Sequence, residues 1–307
     1  MGLHQITIAF KRLEEEGLLP NDKQRILYKK AKKIDGEEAI IADKVEDIGI
    51  GVLIAVRLKS TRLPKKAMIE IEGKTIIEHL IERVKMAKMP NVIIVCTSTH
   101  PDDTVLIDVA KKVGVKWFAG SEEDIMERFL QAARQERVDI IIRVTGDCPL
   151  IDPEYIDKAV AHHIAKGVDY TRVVGMPVGT GCELFSAKAL EKAHTYTVDP
   201  NYSEYMSFYF WNNPEVFRME EIECDEGVKR PDYRLTVDEI ADVELMKEIY
   251  QRLYQRGRIF PLKEVIELLD SNPSLVELNK QVKLKWRDDK ELVDFLKQKT
   301  RLKRDVR

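Results

Sequence analysis

Short, almost wholly apolar runs alternate with amphipathic helical segments through the middle of this chain, and that alternation constrains the fold most. Strands that are apolar on both faces belong to parallel sheets with helices packed on either side. The pattern therefore predicts an α/β fold, a Rossmann-like three-layer arrangement around a mainly parallel sheet. The predicted strands are Ile48–Ala55, Asn91–Thr97, Val115–Phe118 and Asp139–Val144, and the helices between them are Lys74–Ala87, Pro101–Val113 and Asp124–Glu136.

The composition narrows the class of protein. With 307 residues, 44% hydrophobic and 34% charged, the chain can bury a sizeable core under a charged surface. A net charge of -3 argues against a general nucleic-acid binder. No run approaches the roughly 20 apolar residues of a membrane span, and no signal peptide precedes the first strand. Together with four scattered cysteines, which are typical of reduced thiols, these features predict a cytoplasmic protein.

A basic loop follows the first predicted strand. Guanidinium and ammonium groups concentrated after a buried strand suit an oligophosphate ligand, since they neutralise phosphate at close range. The alternative is a solvated basic turn between strand and helix. The cations of this loop are Arg57, Lys59, Arg62, Lys65 and Lys66.

Polar residues follow three of the predicted strands at the same edge of the sheet. In open α/β sheets, ligands bind outside the carboxyl ends of the strands. We therefore expect one cleft, lined by the basic loop, by Thr97 and Ser98, and by the loop Thr145–Pro149.

Two aspartates at strand ends are candidate metal ligands. Asp147 lies between Gly146 and Cys148, where a carboxylate suits Mg²⁺, although it could instead cap the next turn. Asp238 lies where a predicted strand, 234–237, meets a predicted helix, 241–253, and could simply be an N-cap. Without metal, two adjacent carboxylates would repel each other, and one would tend to keep its proton.

Two motifs resemble those of the sugar-acid cytidylyltransferases, the family that activates acylneuraminate and 3-deoxy-manno-octulosonate. They are Arg-x-x-Ser-Thr-Arg-x-Pro-x-Lys, at 57–66, and Thr-Gly-Asp-Cys-Pro-Leu-Ile-Asp, at 145–152. Thr-Val-Asp-x-x-x-Asp, at 236–242, is similar to the family's second metal-binding segment. The nearest branch is that of spore coat polysaccharide biosynthesis protein F, and the resemblance runs from Ile48 to Asn279. It implies a nucleotide-diphospho-sugar transferase fold.

The resemblance also implies roles for individual residues. Arg57, Lys66 and Asp147 would be catalytic, with Asp147 and Asp238 holding Mg²⁺ and Asp242 supporting the helix start. Glu183 and Glu204 would bind the acceptor, although Gly181 and Ser203 depart from the branch's pattern around them. The residues expected at the nucleotide are Arg57, Ser60, Arg62, Lys66, Thr97, Ser98, Asp124 and Arg128.

These features predict a Mg²⁺-dependent enzyme that transfers CMP from CTP to an anionic sugar acceptor and releases pyrophosphate. One alternative is a nucleotide-sugar-dependent glycosyltransferase, although no Asp-x-Asp follows a strand. The other is a non-catalytic nucleotide-binding homologue.

Three regions complete the predicted organisation, and a homodimer is the expected assembly. Residues 1–47 would form a helical extension, 48–280 the nucleotidyltransferase domain, and 281–307 a basic helical tail that is solvated or contacts a second subunit. The aromatic run at 202–211 is expected to serve core or dimer packing. His162 and His163 are predicted to be surface residues of a helix.

Overall fold

A computed structural model describes residues 48–197 and 199–303. The predicted extension at 1–47 lies outside these residues, as do the last four positions of the predicted tail. Among the described residues, no helix combines the length and apolar character needed to cross a bilayer.

Nine strands and eleven α-helices make up the described chain. The strands are β1 (Ile50–Ala55), β2 (Glu70–Ile71), β3 (Lys74–Thr75), β4 (Val92–Ser98), β5 (Lys116–Gly120), β6 (Ile140–Thr145), β7 (Tyr170–Val174), β8 (Glu183–Ser186) and β9 (Met219–Glu223). The helices are α1 (Ile76–Val84), α2 (Thr104–Val113), α3 (Ile125–Glu136), α4 (Pro153–Lys166), α5 (Ala187–Tyr196), α6 (Met206–Trp211), α7 (Ile240–Leu253), α8 (Leu262–Ser271), α9 (Pro273–Glu277), α10 (Lys285–Asp288) and α11 (Lys290–Lys299).

A seven-stranded sheet with the order β5-β4-β1-β6-β8-β7-β9 forms the middle layer. Strands β5, β4, β1 and β6 pair in parallel, as do β7 and β9. Only β8 runs against its neighbours in this sheet. The prediction of an α/β fold with a mainly parallel sheet is confirmed, and the carboxyl ends of β1, β4 and β6 lie side by side.

The helices begin where the sequence supplies capping groups. Thr75 and Glu78 form a reciprocal capping box at the start of α1. The Asp152 carboxylate caps α4, whose first residue is Pro153. Both helices then place their apolar residues against the sheet.

Each face of the sheet carries its own hydrophobic cluster. Alternation along β1 sends Val52 and Ile54 to one cluster and Leu53 to the other. All three side chains are fully buried. This two-sided burial explains why the strands read as continuous apolar runs.

Two details of the sequence interpretation were wrong. His162 and His163 lie on α4 as predicted, but both are buried, because α4 packs against the sheet. The His163 Nδ1 lies 2.9 Å from the Thr171 hydroxyl on β7, and burial lowers the pKa of His163 to about 4. The predicted strand at 234–237 is only an isolated bridge between Arg234 and Val178.

The aromatic run and the predicted tail pack against each other within this chain. Phe210 is fully buried in the core, as expected for that run. Leu296 of α11 is also fully buried, and the Thr300 carbonyl and hydroxyl accept hydrogen bonds from Asn213 and Asn212. The tail residues that the structure describes are therefore packed against the domain rather than merely solvated.

Candidate active site

Lys66 joins the two candidate metal ligands. Its Nζ lies 2.5 Å from Asp147 Oδ2 and 2.7 Å from Asp238 Oδ1, although the two aspartates are far apart in sequence. Lys66 belongs to the loop after β1, and Asp147 to the loop after β6. The structure therefore brings Lys66 of the basic loop together with both carboxylates.

Backbone contacts hold the two acidic loops together. The Val237 N–H donates to the Asp147 carbonyl at 2.8 Å, so the chain before Asp238 runs alongside the loop after β6. A larger residue than glycine would clash at position 146, because a Cβ there would lie 2.5 Å from the Val56 side chain. The space beside the Gly146 Cα is therefore filled by the core side chain of Val56.

The charges of this cluster stabilise one another. Burial disfavours the Lys66 ammonium, but the Asp147 and Asp238 carboxylates outweigh it and raise the pKa of Lys66. Burial also disfavours the Asp147 carboxylate, yet Lys66 lowers the pKa of Asp147 below its usual value. The sequence interpretation expected the two carboxylates to repel each other, but the Lys66 ammonium lies between them and offsets that repulsion.

Two arginines, the partly exposed Arg62 and the buried Arg234, also bind Asp238. Arg62 Nη2 lies 2.8 Å from Oδ1, and Arg234 Nη2 lies 2.7 Å from Oδ2. Arg234 also bonds the fully buried Asp242 through Nε, at 2.8 Å. Asp238 thus occupies a fixed position in a network of ion pairs.

The capping function belongs to Asp242 and Glu239. Asp242 Oδ2 accepts the backbone N–H groups of Asp238 and Glu239, and Glu239 is the N-cap of α7. The N-cap reading of Asp238 is therefore wrong, whereas the supporting role expected of Asp242 is confirmed. The Asn279 side chain donates to Asp242 Oδ1 at 2.8 Å, a contact that sequence reasoning missed.

The remaining residues of the basic loop differ in their surroundings. Arg57 Nη1 donates to the Glu122 carbonyl at 3.3 Å, and Nη2 lies 3.9 Å from the Glu204 carboxylate. The Ser60 hydroxyl accepts from the Leu63 N–H at 3.4 Å, so it braces the turn. Arg57 and Glu204, placed separately by the sequence, meet at the same edge.

Thr97 and Ser98, at the end of β4, are both buried. The Ser98 hydroxyl donates to Asp103, whose other oxygen accepts the Leu58 N–H at 2.7 Å. Asp103 therefore ties Ser98, at the end of β4, to the loop after β1. The Thr97 hydroxyl is fully buried and has no hydrogen-bond partner among the described residues.

Asp124 and Arg128 lie at the first turn of α3. Asp124 caps the helix through the Glu127 N–H and bonds His194 Nε2 at 2.7 Å, so its carboxylate is engaged. Arg128 is 1% exposed, and its Nε and Nη1 lack partners among the described residues. Burial, together with Arg57, lowers the pKa of Arg128. A buried cation with unpaired donors is suited to an anionic or carbonyl-bearing ligand.

Arg143 contacts both of the residues expected to bind the acceptor, Glu183 and Glu204. Arg143 Nη1 bonds Glu183 Oε2 at 2.7 Å, and Nη2 lies 3.4 Å from the Glu204 carbonyl. The sequence interpretation did not single out Arg143. The sequence feature that could have indicated a role for Arg143 is its position as a single charged residue directly after the apolar run Ile140–Ile142.

The donor set around Lys66 fits a divalent cation. The Asp147 and Asp238 carboxylates both lie within 2.7 Å of the Lys66 Nζ. The ammonium group thus occupies, between the two carboxylates, the kind of position that a bound cation would take. No cluster of three or more acidic, histidine or cysteine ligands occurs in the described ranges. Mg²⁺ suits such a sparse set, since it usually takes one or two carboxylates together with phosphate oxygens.

Comparisons with known proteins agree with this geometry. A cytidylyltransferase family model matches residues 51–265. An uncharacterised protein of Methanocaldococcus jannaschii is 33% identical over 76% of this chain and 95% of its own length. The spore coat polysaccharide biosynthesis protein SpsF of Bacillus subtilis is 32% identical over 72% of this chain and 94% of its own.

A solved cytidylyltransferase structure from Leptospira borgpetersenii superposes with a TM-score of 0.71 at 30% identity, covering 77% of this chain and 99% of that one. The family model spans most of the sequence, and it includes the basic loop and both aspartates. This chain belongs to the cytidylyltransferase family of CTP-dependent nucleotidyltransferases.

Proposed function

We propose that this enzyme transfers CMP from CTP to an anionic sugar acceptor in the synthesis of surface polysaccharide or glycoconjugate precursors. The observation that carries the proposal is the Lys66 ammonium between Asp147 and Asp238, beside a loop with further cations. The names of two relatives support the setting, namely spore coat polysaccharide biosynthesis protein SpsF and 3-deoxy-manno-octulosonate cytidylyltransferase.

The basic loop supplies the electrostatics of the proposed reaction. An acceptor hydroxyl oxygen attacks the α-phosphorus of CTP, the bond to the bridging oxygen of pyrophosphate breaks, and the hydroxyl proton passes to solvent. Lys66, Arg57 and Arg62 neutralise the charge that grows on the leaving phosphates. Positioning and charge stabilisation suffice, so no covalent enzyme intermediate is needed.

Asp147 and Asp238 would hold Mg²⁺ in this scheme. Bound there, the ion would polarise phosphate oxygens as a Lewis acid. The ion pairs from Arg234 and the backbone contact at Val237 hold these carboxylates in place. Release of Lys66 from the aspartates would let its ammonium bond phosphate instead.

Arg128 and Thr97 are proposed to complete the nucleotide site. Both offer buried polar atoms without partners among the described residues. A nucleoside bound beside β4 and α3 would satisfy them. A homodimer remains our expectation for the assembly.

The test is a pyrophosphate-release assay with each of the four nucleoside triphosphates, Mg²⁺ and a panel of acidic sugars. We expect release with CTP and at least one sugar acid, and its loss in Asp147→Asn. The exposed Asp232→Asn serves as the matched control. Release of a nucleotide from a nucleotide-sugar donor, without use of CTP, would instead support the glycosyltransferase alternative.

A further inference from the structure

Four charged residues of alternating sign form a row across four adjacent strands. Arg143 on β6 pairs in register with Glu183 on β8, Glu183 with Arg172 on β7, and Arg172 with Glu221 on β9. Arg143 lies two positions before Thr145 on the same side of β6, and four before Asp147. The row therefore begins on the strand that leads to Asp147.

Glu183 has little capacity left for a ligand. Its Oε2 accepts from Arg143, and its Oε1 accepts from the Tyr170 hydroxyl at 2.5 Å and the Ser207 hydroxyl at 2.6 Å. A carboxylate bonded to three donors is a rigid support. Its placement fixes the orientation of the Arg143 guanidinium.

The Arg143 guanidinium can bind a ligand through its Nε and Nη2 atoms, whereas the same two atoms of Arg172 already have a partner. The Nε and Nη2 hydrogens of a guanidinium point the same way and form the edge that binds a carboxylate through two parallel bonds. In Arg172 that edge is occupied by Glu221, which bonds both atoms. In Arg143 the buried Nε has no partner among the described residues, and Nη2 has only the long, 3.4 Å contact with the Glu204 carbonyl.

This edge of Arg143 faces the segment around Glu204, which also reaches the basic loop. The Glu204 carbonyl lies by Arg143, while the Glu204 carboxylate lies 3.9 Å from Arg57. A small shift of this segment would open the Arg143 edge to a ligand next to Arg57. The row contains equal numbers of arginines and glutamates, so it suits a single added negative charge better than a phosphate dianion.

We propose that Arg143 binds the carboxylate of the acceptor through its Nε and Nη2 edge, and that Glu183 is a positioning residue that holds Arg143. This inference rests on the proposed function and assigns the acid group of the acceptor to one side chain. It also revises the role expected for Glu183, from direct acceptor contact to support.

The experiment measures binding in the presence of α,β-methylene CTP and Mg²⁺, so that no turnover occurs. The probes are 3-deoxy-manno-octulosonate and N-acetylneuraminate, each compared with its methyl ester by calorimetric titration. We expect at least one acid to bind, with its ester at least about tenfold weaker. Loss of a charged hydrogen bond is consistent with a change of this size.

Variants locate the effect. Arg143→Met should weaken acid binding by about 10- to 100-fold and leave the affinities for the ester and the CTP analogue unchanged. Arg143→Lys and Glu183→Gln should give intermediate losses for the acid. Arg172→Met is the matched control from the same row, and it should bind the acid as the wild type does.

The outcomes separate the two proposals. If the CTP analogue binds but the ester binds as well as the acid, if Arg143→Met binds the acid normally, or if neither acid binds, the role of Arg143 is overturned while the nucleotide site stands. Binding of a sugar phosphate in preference to both acids would also overturn it. If the analogue itself does not bind, the proposed function fails and this inference falls with it.

Discussion

The two sides of the candidate cleft balance their charges in different ways. In the nucleotide half, defined as the basic loop with Asp147 and Asp238, ion pairs join loops that follow different strands. In the acceptor half, defined as Arg143 and Glu183, an ion pair joins the neighbouring strands β6 and β8.

Because of that difference, charged side chains on the loops can exchange one ion-pair partner for another, whereas those on the strands cannot do so easily. A lysine on a loop can leave two carboxylates for a phosphate with little change in the fold. A glutamate on β8, bonded by three donors, moves only if the sheet moves. We expect ligand exchange to concentrate in the nucleotide half and specificity to reside in the acceptor half.

The largest expected effect tests the aspartates of the nucleotide half. Asp147→Asn and Asp238→Asn should each reduce pyrophosphate release by at least about 100-fold at ordinary Mg²⁺, because a charge-stabilising group is lost. Each should also lower the melting temperature of the metal-free protein, since Lys66 or Arg234 loses a buried partner. Asp232→Asn should change neither quantity. Full activity in Asp238→Asn would leave Asp147 as the sole carboxylate ligand.

The exchange of Lys66 between carboxylates and phosphate is tested by Lys66→Met. CTP affinity should fall by about 10- to 100-fold through loss of a charged contact. Mn²⁺ affinity without nucleotide, measured by electron paramagnetic resonance, should rise, because the competing ammonium has gone. Lys65→Met, at an exposed neighbouring position, is the control. Mn²⁺ binding no tighter than in the wild type would contradict the exchange.

The support beneath the acceptor half should weaken in mild acid. His163, against Thr171 of β7, has a folded pKa of about 4 and an ordinary value of 6.5. Below pH 6.5 the unfolded chain binds a proton that the folded chain excludes, so stability falls until about pH 4. Between pH 7 and 5 this loss is roughly 2 kcal/mol.

Urea unfolding at the two pH values would measure that loss. His163→Asn should have a smaller pH dependence than the wild type, while His100→Asn, at a more exposed histidine, should match the wild type. An identical pH dependence in wild type and His163→Asn would show that His163 does not control it.

The smallest expected effect concerns the rim of the nucleotide half. Lys59 is exposed and pairs with Glu122, and such surface pairs contribute little to binding or stability. Lys59→Ala should change CTP affinity by less than about threefold, measured beside Lys66→Met. If Lys59→Ala lost as much CTP affinity as Lys66→Met, the loop would attract the triphosphate through its total positive charge rather than through specific contacts.

The nucleotide half was largely predictable from sequence, and the acceptor half was not. A basic loop and an aspartate that follow apolar strands are local signals, and parallel strands bring their carboxyl ends to one edge. Arg143 and Glu183 are 40 positions apart, and nothing local predicts that they pair. The burial of His163 was missed because the helix that carries it, α4, packs against the sheet. That sheet face exists only after the strands have assembled.

The sequence by itself determined the alternation of strands and helices, the cationic loop, and the placement of Asp147 directly beyond a buried strand. Those features depend on neighbouring residues and on side-chain period, which a chain carries without folding. Only the tertiary structure decided that Lys66 lies between two carboxylates, that Asp242 rather than Asp238 supports the helix start, and that the Arg143 Nε is buried without a partner among the described residues. These depend on strand order, register and burial, which arise when distant segments pack together.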